Sequence, residues 1–340
     1  TTKVWCDGWG EEIGSPSKAD AAAALDRIFR FADAGQWESD ADGVAWLAHV
    51  LTVAARPAID GEAPAFVYSS PMPGSGKSTL ARVAGEIGGR CAGYTSPGKK
   101  DDDEELARKL DTHALAPAIM LDNMRGVLAS VILEGAIAGG VLPVRRLYVG
   151  HAQVPWRTVL SVTSNGAEIG RDWARRSVPV RLSGKALPGA RDVLADAKAT
   201  PSLTTDAVAV LGAWLRSGEA STCTPLLGFA SWSRVVGGAI AWLGRGDVVA
   251  ATREASEDMI AVGDDSGSLL DAIEQWLEDR GEGAEFTARS AWEAQQLSDV
   301  RSGFRDFAAF SAHLGRCSDK TRVLRRRRSK KARLWCVEKR

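Results

Sequence analysis

The chain has 340 residues, enough for two or three domains, and its 45% hydrophobic and 25% charged residues are those of an ordinary soluble globular protein, which excludes a disordered or fibrous polypeptide. Its 43 basic and 43 acidic side chains cancel, but residues 301–340 hold 14 Lys and Arg against 3 Asp and Glu, a net of +11 that leaves −11 on the first 300. The acidic body gives no general attraction to a polyanion, whereas the basic end is a candidate for one. No apolar run approaches the roughly 20 residues that span a bilayer, so no membrane association is expected. Five scattered cysteines without a C-x-x-C pair exclude a disulfide framework and a zinc cluster and point to a reducing, cytoplasmic interior. The chain opens on Thr1 and not Met, as a piece of a longer polypeptide would.

In chain order, apolar spacing predicts helices over 17–35 (Ala21, Leu25, Ile28, Phe29) and 43–56 (Val44, Leu47, Val50, Leu51). A short apolar run, P-A-F-V-Y-S-S, then leads into a Gly-rich loop and a helical K-S-T-L-A-R-V-A-G-E-I. A strand at 91–95, an acidic helix at 101–113, a buried strand A-I-M-L-D at 118–122 and a helix near 128–138 follow. Two strand-like runs, L-P-V-R-R-L-Y-V and T-V-L-S-V-T, flank a turn near Gly150 and His151. This alternation predicts a three-layered α/β core with a mainly parallel sheet over 63–184, preceded by a helical segment at 1–62. Helical patterns alone follow at 190–199, 203–216 and 230–243, giving a helical segment at 185–262. V-G-D-D-S-G-S (262–268) reads as a linker. Helices at 269–279, near 289–296 and near 303–316, then two strand-like pieces around 329–332, predict a winged helix over 268–340.

The loop S-S-P-M-P-G-S-G-K-S-T-L (69–80) has the spacing of a phosphate cradle, except that Pro71 stands where the pattern G-x-x-x-x-G-K-[ST] begins. Gly74 and Gly76 permit the backbone turns that aim N–H groups inward, and the helix starting at Lys77 adds its positive end. Pro73, Gly74, Ser75, Gly76, Lys77, Ser78 and Thr79 are therefore the candidate ATP-binding residues. Lys77 would reach the β- and γ-phosphates and Ser78 would ligate Mg2+. Proline lacks an N–H, yet its fixed φ suits a position that only starts the turn. Asp122, closing a buried strand, is the candidate second magnesium carboxylate. Asn123 follows it where a water-polarising glutamate is common; an amide orients water but does not accept its proton. Glu104 and Glu105 are substitutes to weigh against plain solvated acids. Asn165 ends another buried strand and could bond the γ-phosphate or the attacking water, while Arg175 and Arg176 precede the next strand, where arginines stabilise transition-state charge or pair at the surface.

The order of these parts, with E-E-L-A-R-K-L, L-D-N-M-R-G, R-R-L-Y-V-G-H, T-S-N and R-D-W-A-R-R between and after them, resembles the AAA+ ATPase module of superfamily 3 helicases. It looks closest to the version in phage- and mobile-element-encoded primase–helicase proteins. The likeness runs through 17–184 and more loosely to 243. The resemblance implies that L-D-N is a family trait, that Asn165 is a sensor, and that Arg176, more than Arg175, is an arginine finger acting on a neighbouring copy. It implies a homo-oligomeric ring, expected to be hexameric, and admits an upstream primase domain. The turn at Gly150 and His151 matches a channel hairpin gripping single-stranded DNA, with Arg145, Arg146 and His151 as contacts. At the basic end, Arg325, Arg326, Arg327, Arg328, Lys330 and Lys331 suit a wing on a phosphate backbone, with Arg305 and Arg316 beside it. The expected activity is a magnesium-dependent ATPase driving a DNA helicase or translocase in a bacterial or phage-infected cell. The alternative is an ATP-controlled initiator or loader that binds DNA without unwinding it; a P-loop kinase would need neither sensor, paired arginines nor basic end.

Overall fold

The computed structural model describes residues 14–33, 35–89, 91–95, 103–124, 127–128, 130–146, 150–165, 168–185, 192–260, 266–277, 284–297, 307–314, 322–328 and 333–339. The chain divides into two compact units, Thr1–Ile260 and Ala261–Arg340.

The first unit is built on a five-stranded sheet: β1 (Ala65–Ser70), β2 (Cys91–Thr95), β3 (Ala118–Met124), β7 (Val159–Asn165) and β9 (Ser177–Arg181). The order is β2-β3-β7-β1-β9, and every neighbouring pair is parallel. An α/β architecture compatible with a phosphate-loop core is thus what the strand–helix alternation produces. Strands buried on both faces read as continuous apolar runs. In β7 every residue from Val159 to Ser164 is buried.

Helix α1 (Lys18–Ala32) begins at Ser17, whose hydroxyl accepts from the Asp20 N–H while Asp20 accepts from the Ser17 N–H. It is clamped to α8 (Ser202–Ser217) by the Arg27–Asp206 pair, with Nε–Oδ2 at 2.9 Å and Nη2–Oδ1 at 2.6 Å. Helix α2 (Asp40–Ala55) is buried on nearly every side; its run V-A-W-L-A-H-V-L-T-V-A-A has too few polar residues for a solvent face. The Asp42 carboxylate, 1% exposed, accepts from Ser39 N–H and from the Arg181 N–H, fixing the start of α2 to β9. The Trp46 indole donates to the Leu80 carbonyl, 3.0 Å away on α3 (Lys77–Gly89).

Helix α4 (Asp103–Asp111) precedes β3, and between β3 and β7 lie β4 (Val127–Leu128), α5 (Val131–Gly139), β5 (Val141–Arg146) and β6 (Gly150–Pro155). Here the structure departs from the sequence reading. The hairpin partner of β5 is β6, with Arg145 opposite His151, and not T-V-L-S-V-T, which is the central strand β7. G-H-A-Q-V-P offers too little apolar alternation to announce a strand, whereas the unbroken run of β7 must be buried on both faces. Short β8 (Glu168–Ile169) pairs with β4, and α6 (Arg171–Ala174) leads into β9. After α7 (Val193–Ala199) and α8 come α9 (Ala230–Trp232), a π-turn Ser233–Gly237 and α10 (Gly238–Trp242). A further helix, α11 (Val248–Asp258), had no sequence expectation. Asp247 caps it, accepting from Val249 and Ala250 N–H groups, and also holds Thr224 through its N–H at 2.7 Å.

The second unit contains α12 (Ser266–Leu277), β10 (Phe286–Thr287), α13 (Ala288–Glu293), α14 (Phe307–Leu314), β11 (Arg322–Arg328) and β12 (Arg333–Lys339). The sheet order is β10-β12-β11, with β11 and β12 antiparallel. Its own core gathers Leu270, Ile273, Phe310, Leu314 and Trp335. The spacing of Phe304, Phe307, Phe310 and Leu314 predicts that the third helix buries all four; Phe310 and Leu314 are buried, Phe307 is half-buried, and Phe304 lies outside the described residues.

Packing is close where α3 crosses α2. A Cβ at Gly88 would sit 2.5 Å from Val53 Cβ and 2.6 Å from the Val50 carbonyl oxygen, whereas one at Gly135 in α5 meets nothing within 4 Å. Gly88→Ala is expected to cost about 1–3 kcal/mol of stability by overpacking, and Gly135→Ala to gain about 0.5–1 kcal/mol, both read from denaturant midpoints. A second test concerns His49, fully buried on α2, stacked on Phe66 and 2.8 Å through Nδ1 from the Tyr68 hydroxyl. Burial holds its pKa down to about 3. The unfolded chain binds this proton below pH ~6.5 and the folded chain does not, so stability falls as pH falls from about 6.5 toward 3. His49→Gln should reduce the loss between pH 7 and pH 5 by about 2 kcal/mol relative to the parent, measured by urea unfolding.

Candidate functional site

The carboxyl ends of β1, β7 and β3 lie side by side in that order, and ligands of open parallel sheets bind outside such ends. Ser70, the last residue of β1, is in register with Asn165, the last of β7. The loop after Ser70 turns through Gly74 (φ +77°) and Gly76 (φ +89°), backbone conformations that side chains with a Cβ rarely adopt. It then enters the 13-residue α3 at Lys77. The first N–H groups of such a helix lack internal partners and point back at the loop. Pro71, the departure from the phosphate-loop pattern, lies against Gly184, where a Cβ would come 3.0 Å from the proline Cγ. The Leu182 N–H donates to the Ser69 carbonyl at 2.9 Å, so the chain leaving β9 backs the loop that the missing glycine would otherwise have shaped.

Inside the loop, the Lys77 ammonium is 3.1 Å from both the Met72 carbonyl and the Ser75 hydroxyl, to which it donates. Lys77 is 7% exposed, and burial pushes its pKa down while the Asp122 charge opposes that shift. A cation partly stripped of water and held over a glycine turn is stabilised by an arriving anion. Thr79 continues the first turn of α3, and Pro73 sits exposed at the loop's outer edge.

Asp122 leaves β3 two strands away, yet its Oδ1 accepts from the Ser78 hydroxyl at 2.5 Å and from the Thr163 hydroxyl at 2.8 Å. The intervening strand β7 makes this meeting. Thr163 also accepts from the Asn123 N–H at 2.9 Å, while Asn123 takes φ +58° as the β3–β7 register shifts. A hydroxyl and a carboxylate are hard oxygen donors that fit Mg2+ shared with phosphate oxygens. Among the described residues no group of three or more His, Cys, Asp or Glu is arranged to hold a metal without such help.

Thr163 was not singled out in the sequence. The signal available was a polar residue inside an apolar strand, two positions before Asn165 and so on the same face. Glu105 forms a double ion pair with Arg108 at 2.7–2.9 Å, and Glu104 lies 3.9 Å from Arg145; both are engaged as ordinary surface acids.

Arg175 and Arg176 sit at the other edge of the sheet. The Arg176 carbonyl accepts from the N–H of Ala65, the first residue of β1, at 3.0 Å. The loop begins after the last residue of that strand, about 17 Å away at 3.3 Å per residue. Arg176 is 3.6 Å from Glu134 and 4.0 Å from Asp172, and Arg175 is 2.6 Å from Asp172. Arg145 is exposed on β5. The backbones of Arg146 and His151 flank the hairpin turn, Arg146 opposite Gly150. Arg325 to Arg328 lie on β11, opposite Cys336, Trp335, Leu334 and Arg333. Arg305, Arg316, Lys330 and Lys331 lie outside the described residues.

No protein-family model and no curated protein sequence matches the chain. Among solved structures it is similar to the active helicase Cch of SCCmec type IV, at 13% identity and a TM-score of 0.36, covering 96% of this chain and 71% of that one. It is also similar to a JCV helicase bound to a thiazolopyridine compound, at 16% identity and a TM-score of 0.30, covering 73% and 71%.

Thr163→Val would leave the strand intact but remove both hydroxyl contacts at the Asp122 end. Affinity for magnesium–ATP, read with a fluorescent analogue, is expected to fall about ten- to a hundredfold, roughly one lost hydrogen bond to a charged group. An unchanged affinity would mean that Thr163 does not position Asp122.

Proposed function

We propose that this chain is a magnesium-dependent ATPase that works as a ring-forming DNA helicase or translocase of the superfamily 3 type, serving replication of a phage or mobile element. The observation that carries the reading is the junction of Lys77, Ser78, Asp122 and Thr163 at one edge of a parallel sheet, with a paired arginine cluster at the opposite edge. Lys77 and the loop N–H groups would hold the triphosphate, and Ser78 and Asp122 the magnesium and its water. Asn165, beside the loop, would sense the γ-phosphate. Asn123 would orient the attacking water.

An arginine some 17 Å from its own cradle serves a cradle only on another copy. Arg176, or less directly Arg175, would therefore complete the site of the next subunit, releasing its pairing with Glu134 to do so. Such a contribution amounts to about 10³–10⁵ in rate. Head-to-tail contacts of this kind close into rings, here taken as hexameric, with the β5–β6 hairpin (Arg145, Arg146, His151) on single-stranded DNA in the channel. The second unit, with its helices and β11–β12 hairpin, is read as a winged helix binding duplex or fork DNA through Arg305, Arg316, Arg325 to Arg328, Lys330 and Lys331. A cytoplasmic setting and an upstream primase domain belong to the same reading.

Asn123 in place of a carboxylate favours one alternative, an initiator or loader whose ATP state controls assembly on DNA without strand separation. Strand displacement on a forked duplex with ATP and Mg2+ separates the two. Wild type is expected to unwind, Lys77→Ala and Arg176→Ala each to fail, and a mixture of the two variants to regain part of the turnover at mixed interfaces. ATP-dependent DNA binding with no unwinding by wild type would favour the loader, and full hydrolysis by Arg176→Ala would remove the role in trans.

A further inference from the structure

A cavity of about 810 Å3 opens at the amino-terminal edge of the central sheet, between the ends of α2 and α3 and the start of α8. It lies at the edge opposite the phosphate-type loop, and nothing in the reading above uses it. Its volume is within the range of about 300–1,000 Å3 that small-molecule sites occupy. One wall is apolar, with Val53, Ile87, Pro117 and Val208, and Leu115 at 70% exposure stands at the rim.

The opposite character comes from Arg56 and Arg157, both of which line the cavity. Arg56 follows α2 in a short 3-10 turn (Arg56–Ala58) and is only 6% exposed. Its Nη1 donates to the Gly61 carbonyl at 2.9 Å, its Nη2 lies 3.4 Å from Glu62, and its Nε, buried, has no partner among the described residues. The exposed Arg157 donates to the same Gly61 carbonyl at 3.4 Å and makes no ion pair among the described residues. Two guanidinium groups thus converge on one carbonyl with a single carboxylate between them, leaving one positive charge unbalanced in the group. Burial lowers the Arg56 pKa, with Glu62 opposing the shift and Arg157 adding to it, and burial raises the Glu62 pKa against the pull of both arginines. Among the described residues the cavity's acids, Asp60 and Glu86, pair with neither guanidinium, and Lys198 adds a further cation to the lining.

Buried guanidinium groups are retained where planar, two-pronged recognition of a carboxylate or phosphate is needed. We infer that this cavity is a binding site for a small organic anion, an oxyanion head held by Arg56 and Arg157 with an apolar body against the Val53–Ile87 wall. The site is independent of the ATPase reading.

Calorimetric titration of the full chain carrying Lys77→Ala, which removes the ammonium of the other anion site, tests this with two probes, benzoate and inorganic phosphate. Saturable one-to-one binding of either at up to about 10 mM, weakened about tenfold by adding Arg157→Ala, is expected; the probe that binds identifies the head group. Glu62→Gln removes the internal competitor and should tighten binding several-fold, an effect that a structural defect does not mimic. The inference is overturned if neither probe saturates, or if Arg157→Ala, melting like its parent, binds as tightly. Should Arg157→Ala fail to fold, Glu62→Gln decides, and an affinity unchanged or weakened overturns the inference.

Discussion

The candidate site depends on one carboxylate oxygen. Asp122 Oδ1 accepts from a hydroxyl at the start of α3 and from another inside β7, and so ties together two strand ends and a helix N-terminus. A parallel sheet makes this possible because all its strands deliver their carboxyl ends to the same edge. The strand order then sets the distances. With β7 between β1 and β3, a short Ser and a short Thr reach the same Asp, and Asn123 is turned into a left-handed conformation beside them.

The surroundings serve that junction. Helix α3 is held at its first turns by the Trp46 indole on the Leu80 carbonyl and at its last by the close fit of Gly88 on Val53. Asp42 pins α2 to β9, and the chain leaving β9 lies against Pro71. The loop is therefore supported from behind by the same strand that carries Arg181, and a proline at its first position finds its complement in Gly184. The lowered pKa of Lys77 follows from the same enclosure, since a cation in a tight loop loses water before it gains an anion.

The polarity of the sheet also separates chemistry between its two edges. One edge holds the lysine, the hydroxyl and the carboxylate. The other holds Arg175 and Arg176 and, beneath α2 and α3, the cavity lined by Arg56 and Arg157. Charges so placed serve different partners, because a side chain of about 6–7 Å does not span a strand of six residues.

Much of this was legible in the residue order. The glycines and lysine of the loop, the polar ends of two buried strands and the strand–helix alternation are local patterns, set by backbone sterics and by the periodicity of burial. They singled out Lys77, Ser78, Asp122 and Asn165 as candidates, and indicated the parallel α/β core, without any knowledge of contacts. What the sequence did not reveal was which strands are neighbours. β6 went unread because a weakly apolar strand takes its identity from its partner, and Thr163 because its worth comes from lying between two other strands; α11 did carry a local signal, the Asp247 cap before Val248 and Val249. Strand order, register and the pairing of Arg27 with Asp206 are long-range outcomes of packing a whole core, and no short window of sequence contains both partners of such a contact.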